Sequence, residues 1–154
     1  MNRLERTQWL PQPLDEVWAF FSVAENLNRM TPEFLKFEIV SGADEPMFAG
    51  QIIEYRIEAI KGIKQRWITE ITSCEPQRYF VDEQRIGPYR FWHHLHRFEV
   101  EGKGIRMLDR VHYQLPLGPL GAFAHAFFVK QRLKRIFDYR ARFMEMEFDA
   151  DPAT

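Results

Sequence analysis

Residues 91–115 read FWHHLHRFEVEGKGIRMLDRVHYQL, and this stretch decides the fold. Two runs of period-two alternation, Phe91 to Val100 and Ile105 to Leu115, flank Glu101-Gly102-Lys103-Gly104, the composition of a tight turn between antiparallel strands. With that turn as the hinge, Val100 faces Ile105, Phe98 faces Met107, His96 faces Asp109 and Trp92 faces Tyr113. The facing residues share one side of the hairpin because side chains repeat every second residue. The register therefore predicts a wall of rings and aliphatics interrupted by imidazole and carboxylate. A slip of one residue would turn the whole set over.

The same period continues upstream. Tyr79 to Ile86 runs into Gly87-Pro88-Tyr89. Closing a hairpin there sets Asp82 opposite His94 and Gln84 opposite Trp92. Lys64 to Ser73 alternates Trp67, Thr69 and Ile71 with other residues. Gly50 to Ala59 does so with Ile53, Tyr55 and Ile57, and Leu35 to Ser41 with Phe37 and Ile39. This gives six consecutive strands with Gly or Pro between them.

At the N-terminus, Arg3 to Leu10 alternates as a strand and stops at Pro11. Pro13 suits the first turn of a helix, Asp15 and Glu16 favour its N-terminus, and Leu14, Val17, Trp18 and Phe21 share a face. A second short helix covers Ala24 to Met30 and ends at Thr31-Pro32. After Pro116, the chain from about Leu120 to Phe148 has no proline and, past Gly121, no glycine, so it reads as one helix about 40 Å long. The expectation is an α+β helix-grip fold. A curved antiparallel sheet of six or seven strands wraps a long C-terminal helix, with two short helices between strands 1 and 2. One domain spans residues 1–148 and a flexible tail residues 149–154. A twisted sheet gripping one helix leaves a space between them.

Of the 154 residues, 45% are hydrophobic and 28% charged, the balance of a chain that buries a core. The net charge of −1 offers no basic field for nucleic acid. No apolar run reaches the roughly 18 residues of a membrane span, and Met1 to Leu10 is too polar for a secretory leader. One cysteine, Cys74, excludes an internal disulfide, and a cytoplasmic setting is the expectation. Lys130, Arg132, Lys134, Arg135, Arg140 and Arg142 form a basic run on the last helix. The run reads as a solvated face or as a weak contact with an anionic membrane surface.

Asp82, His94, His96, Asp109 and Gln84 thus make a polar layer across three strands. Three readings are open. The first is a satisfied structural His–Asp network. The second is a polar floor that orients a ligand's carbonyl, hydroxyl or carboxylate, with acid–base chemistry as its catalytic version. The third is a metal site of His94 and His96 with Asp109 as third ligand. No cysteine cluster supports the third, and neither metal nor cofactor is expected. His93 and His112 point to the other face. No Gly-rich phosphate loop and no Gly-x-Ser-x-Gly elbow occurs. Leu120, Phe123, Ala124 and Phe127 form an apolar stripe on the helix, and Leu117 to Gly121 supplies a gate or a plain helix start.

Pro13 to Phe21, followed by Asn26-Leu27 and Thr31-Pro32, resembles the N-terminal part of small bacterial SRPBCC proteins. Phe80-x-Asp82-x-Gln84, Gly87-Pro88-Tyr89, Trp92-x-His94-x-His96-x-Phe98 and Asp109-x-Val111-x-Tyr113-x-Leu115-Pro116 resemble its polyketide cyclase/dehydrase-like branch. The resemblance spans about residues 3–146 and implies a START-like domain with a ligand cavity. Members use that cavity for carriage, sensing or catalysis. The expected function is binding of a lipid, quinone or polyketide-like molecule. Tyr55, Trp67, Trp92, Tyr113, Phe123 and Phe127 would supply the walls, and Asp82, Gln84, His94, His96 and Asp109 the polar end. The rival expectation is a cyclase or dehydratase with His94 or His96 as base and Asp109 as its partner. Oligomeric state is left open.

Overall fold

The computed structural model describes residues 1–60, 62–116 and 118–148, with the side chains of residues 59, 60 and 119–127 outside that description. Strand β1 (Asn2–Leu10) leads into helices α1 (Leu14–Phe21) and α2 (Ala24–Arg29) and a 3-10 turn at Glu33–Leu35. Six strands follow: β2 (Glu38–Ser41), β3 (Ile52–Ile60), β4 (Ile63–Glu75), β5 (Tyr79–Ile86), β6 (Phe91–Glu101) and β7 (Gly104–Gln114). Helix α3 (Pro119–Glu147) closes the chain. The strands form one seven-stranded antiparallel sheet in the order β1-β7-β6-β5-β4-β3-β2. The curved sheet with its long C-terminal helix is the helix-grip architecture, and the sheet has seven strands rather than six.

Pro13 stands at the N-cap of α1 with φ −61°, and Asp15 and Glu16 occupy the first turn. Val17 and Phe21 are the buried face of that helix. The β6–β7 turn is tighter than the composition implied. Glu101 and Gly104 are already paired, leaving Gly102 (φ +64°) and Lys103 as the loop. The register is unaffected, and Val100–Ile105, Phe98–Met107, His96–Asp109 and Trp92–Tyr113 all face one another.

The burial pattern follows the pleat. On β6, Trp92, His94, His96 and Phe98 are buried, and on β7 so are Ile105, Met107, Asp109, Val111 and Tyr113. Two packed clusters flank the polar layer. One joins Leu10, Val17, Phe21, Phe98, Met107 and Met144, and the other joins Trp92, Val111, Tyr113, Leu133 and Phe137. Helix α3 docks on the sheet edge through Arg6 to Asp138 (3.1 Å) and Gln8 Nε2 to the Ala141 carbonyl (2.9 Å). Its 29 residues span about 43 Å. No helix among the described residues is long and apolar enough to cross a membrane. The expected tail, residues 149–154, and Leu117 of the expected gate lie outside the described residues.

Candidate functional site

A cavity of about 460 Å³ separates the sheet from α3. Its sheet wall comes from alternate residues of β3, β4, β5 and β6, including Tyr55, Trp67, Thr69, Phe80 and Trp92. Its helix wall is Val129, Arg132, Leu133, Ile136, Phe137 and Arg140. The spacing of these positions, 3, 1, 3, 1 and 3, is one face of an α-helix. The volume lies within the range of ligand cavities, and the walls are mostly hydrocarbon and ring.

One end of this apolar space is polar. His94 and His96 project from β6 between Asp82 on β5 and Asp109 on β7. His94 Nε2 lies 2.8 Å from Asp109 Oδ1, and His94 Nδ1 lies 3.3 Å from Asp82 Oδ2. His96 Nε2 lies 2.7 Å from Asp82 Oδ2, and His96 Nδ1 lies 3.1 Å from Asp109 Oδ1. Two imidazoles and two carboxylates thus close a ring of four contacts. The imidazole centroids are 3.7 Å apart, and His96 stacks on Phe80 at 4.1 Å. Trp92 Nε1 donates to the other oxygen of Asp82 at 3.2 Å.

Arg140 completes the cluster from α3. Its Nη1 lies 3.8 Å from Asp109 Oδ1, and its Nη2 approaches His96 Nδ1 at 3.3 Å. The guanidinium sits over Phe21 and Phe137, 5.5 and 5.9 Å from their ring centroids. His94, His96, Asp109 and Arg140 keep only 4, 3, 5 and 6% of their surface exposed. Buried charge requires compensation. Arg140 offsets one of the two carboxylates, and protonation of one imidazole would offset the other.

The directions of titration agree with this balance. Burial works against charge on His94, but Asp82 and Asp109 outweigh it and hold the ring above its ordinary pKa. Burial and the charge of His94 push His96 down. Burial would raise both carboxylates, yet the histidines and, for Asp109, Arg140 hold them below the usual range. A neutral His96 donating from Nε2 to Asp82 leaves Nδ1 to accept from Arg140. Asp82 is the most open member, with 18% of its side chain exposed, and it is the carboxylate on the cavity wall.

The sequence profile of the family described as "Polyketide cyclase / dehydrase and lipid transport" matches residues 10–139, from the end of β1 to the residue before Arg140. The chain belongs to this family, within the SRPBCC superfamily. No curated protein matches the sequence. Among solved structures, this family member is similar to TTHA0849 from Thermus thermophilus, with 17% identity, a TM-score of 0.74, and 97% of this chain and 98% of that chain covered. It is also similar to CV1439 from Chromobacterium violaceum, with 12% identity, a TM-score of 0.74 and coverage of 98% and 100%. Ginseng major latex-like protein 151 from Panax ginseng shares 11% identity at a TM-score of 0.65, with 96% and 97% covered. At these identities the likeness is one of fold.

In this family member, Tyr55, Trp67, Asp82, Trp92, His94 and His96 line the cavity. Asp109 does not: it stands behind the histidines and borders a smaller space of about 120 Å³ near Gln8 and Met144. Tyr113 packs behind the wall against Tyr89 and Trp92. Gln84 is committed elsewhere. Its Nε2 donates to the Tyr89 carbonyl (2.6 Å) and its Oε1 accepts from the Tyr89 amide (3.2 Å). Gln84 therefore fixes the Gly87-Pro88 turn and places Tyr89, a cavity residue the sequence did not single out, against Trp67 and Trp92. The side chains of Phe123 and Phe127 lie outside the described residues.

The basic run on α3 is not one solvated face. Lys130, Lys134, Arg135 and Arg142 are exposed, but Arg140 is buried. Arg132 lines the cavity and donates to the Glu58 carbonyl at 2.9 Å. One signal for Arg140 was available. It continues the stripe of Val129, Leu133, Ile136 and Phe137, and the next residue of that stripe, Met144, is buried as well.

Proposed function

We propose that this protein binds an apolar or amphipathic small molecule, such as a lipid, quinone or polyketide-like compound, between the sheet and α3. The observation that carries the reading is a cavity of about 460 Å³ with hydrocarbon walls and one polar end. Filled with solvent, such a space holds about fifteen waters, most of them against apolar wall. Replacing them with hydrocarbon releases about 0.8 kcal/mol per buried CH₂. Asp82, His94 and His96 offer both acceptors and donors at the polar end, so they suit a hydroxyl or carbonyl headgroup. Gentle purification followed by native mass spectrometry tests the reading. The expected result is a small molecule held one per chain. A chain that emerges empty and takes up none of a panel of fatty acids and quinones would refute it.

A second reading, a cyclase or dehydratase, has a specific observation in its favour. The Asp82–His96 contact of 2.7 Å lies on the cavity wall. A carboxylate–imidazole pair there has the parts to take a proton from a carbon acid and return one to a leaving hydroxyl. His96→Gln separates the two readings. A carrier changes affinity modestly, whereas an enzyme loses turnover and keeps its fold.

A further inference from the structure

Three donor atoms of the polar end, His94 Nδ1, His96 Nε2 and Asp82 Oδ2, lie within 4.8 Å of one another. Asp82 Oδ2 is 3.3 Å from the first nitrogen and 2.7 Å from the second. A transition ion at about 2.1 Å from each of three ligands holds them about 3.0–3.4 Å apart. Asp82 Oδ2 to His94 Nδ1 already has that spacing, and Asp82 Oδ2 to His96 Nε2 needs only a small opening.

The far side of each donor is already held. His94 Nε2 and His96 Nδ1, the two nitrogens turned away, both reach Asp109 Oδ1, at 2.8 and 3.1 Å. Asp82 Oδ1 accepts from Trp92 Nε1 at 3.2 Å. To ligate, His94 must release its Nδ1 proton and His96 must carry its proton on Nδ1; both rings then donate to the buried carboxylate behind them, which holds the forward nitrogens toward the ion. Arg140 then turns from His96 Nδ1 wholly to Asp109. All three ligands rise from paired strands, whose backbones fix their spacing, and all three face the cavity.

We propose that Asp82, His94 and His96 form a mononuclear site for a divalent first-row transition ion of the zinc or ferrous type. Its remaining coordination positions open into the cavity. Two imidazoles and one carboxylate match the softness of such ions. Magnesium and calcium take oxygen ligands instead. The ligand set differs from the one the sequence suggested, because Asp82 stands in front of the histidines and Asp109 behind them. The site stands independently of any organic occupant of the cavity.

Equilibrium titration of chelator-stripped protein with Co²⁺ and with Zn²⁺ tests this, read by cobalt ligand-field absorption and by calorimetry. The expected result is one ion per chain. Asp82→Asn and His96→Gln should each weaken binding by more than the roughly 10–100-fold that loss of Asp109 behind the ligands costs. The double variant His93→Gln/His112→Gln, on the opposite sheet face, should bind as the native protein does. Circular dichroism of each variant reports folding, and the native protein's own titration remains decisive if a variant fails to fold. Absence of stoichiometric binding by the native protein overturns the site. So does native-like affinity in folded Asp82→Asn or His96→Gln, or loss of binding in the outer-face double variant.

Discussion

His94 Nε2 lies 2.8 Å from Asp109 Oδ1, yet the residue paired with His94 across the strands is Val111, and Asp109 is paired with His96. The contact is diagonal, and diagonal neighbours on one face of a sheet are within reach of long side chains. One carboxylate therefore serves two imidazoles and also faces Arg140. Removing it leaves the buried guanidinium of Arg140 without its carboxylate and leaves His94 with Asp82 alone.

Asp109→Ala should thus lose about 3–5 kcal/mol of stability, the cost of breaking a buried pair from one side. Arg140→Met should be costly for the same reason. Asp109→Leu combined with Arg140→Met should lose less than the sum of its single changes, because neither charge is then left alone. Urea unfolding of the native protein, Asp109→Leu, Arg140→Met and the double variant measures the coupling. Additive losses would show that Asp109 and Arg140 do not act on one another.

Stability of the metal-free protein should decline on both sides of a plateau. Asp82 and Asp109 sit below their ordinary value of 3.8 in the fold, so their contribution is present above that value and is lost as pH falls through the folded one. His94 sits above its ordinary 6.5, so its contribution is present below 6.5 and is lost as pH rises through the folded value. His96 is lowered and acts oppositely, adding stability above 6.5 that is lost as pH falls. Urea midpoints across this range, for the native protein and for His94→Gln, check the sign. The variant should lack the alkaline decline that His94 causes.

Gly42, at the end of β2, has φ +83°, and a Cβ there would stand 2.0 Å from the Ile52 carbonyl oxygen on β3. That neighbour is backbone and cannot rotate away. Gly42→Ala should therefore destabilise by more than the 1–3 kcal/mol or so of an unfavourable backbone conformation alone. Thermal unfolding measures it. By contrast, Gly102→Ala meets no atom within 4 Å and should cost only its φ of +64°.

Much of the sheet was legible because its evidence is local. The alternation of Trp92, His94, His96 and Phe98 sets a face, and the Gly102 turn sets a register, which together bring His96 opposite Asp109. Arg140 was not legible in the same way. Its charge fits a solvated helix, and only its place in the stripe of Val129, Leu133, Ile136 and Phe137 signals that α3 turns it inward. Tyr89 was hidden for another reason. A tyrosine in a Gly-Pro turn reads as surface until the Gln84 amide is seen to hold the turn against Trp67. The order of Asp82 and Asp109 around the histidines was lost too, since register fixes which strands are neighbours but not which carboxylate opens to the cavity.

Uptake of a guest by the cavity should register in the intrinsic fluorescence of Trp67 and Trp92, both on its wall. Titration with a long-chain fatty acid or a naphthalene sulfonate probe should give a saturable change at one molecule per chain. The change should be weakened by Val129→Trp, which puts a larger side chain into the helix wall of the cavity. No saturable change, or the same change in a folded Val129→Trp protein, would contradict a ligand site between sheet and helix.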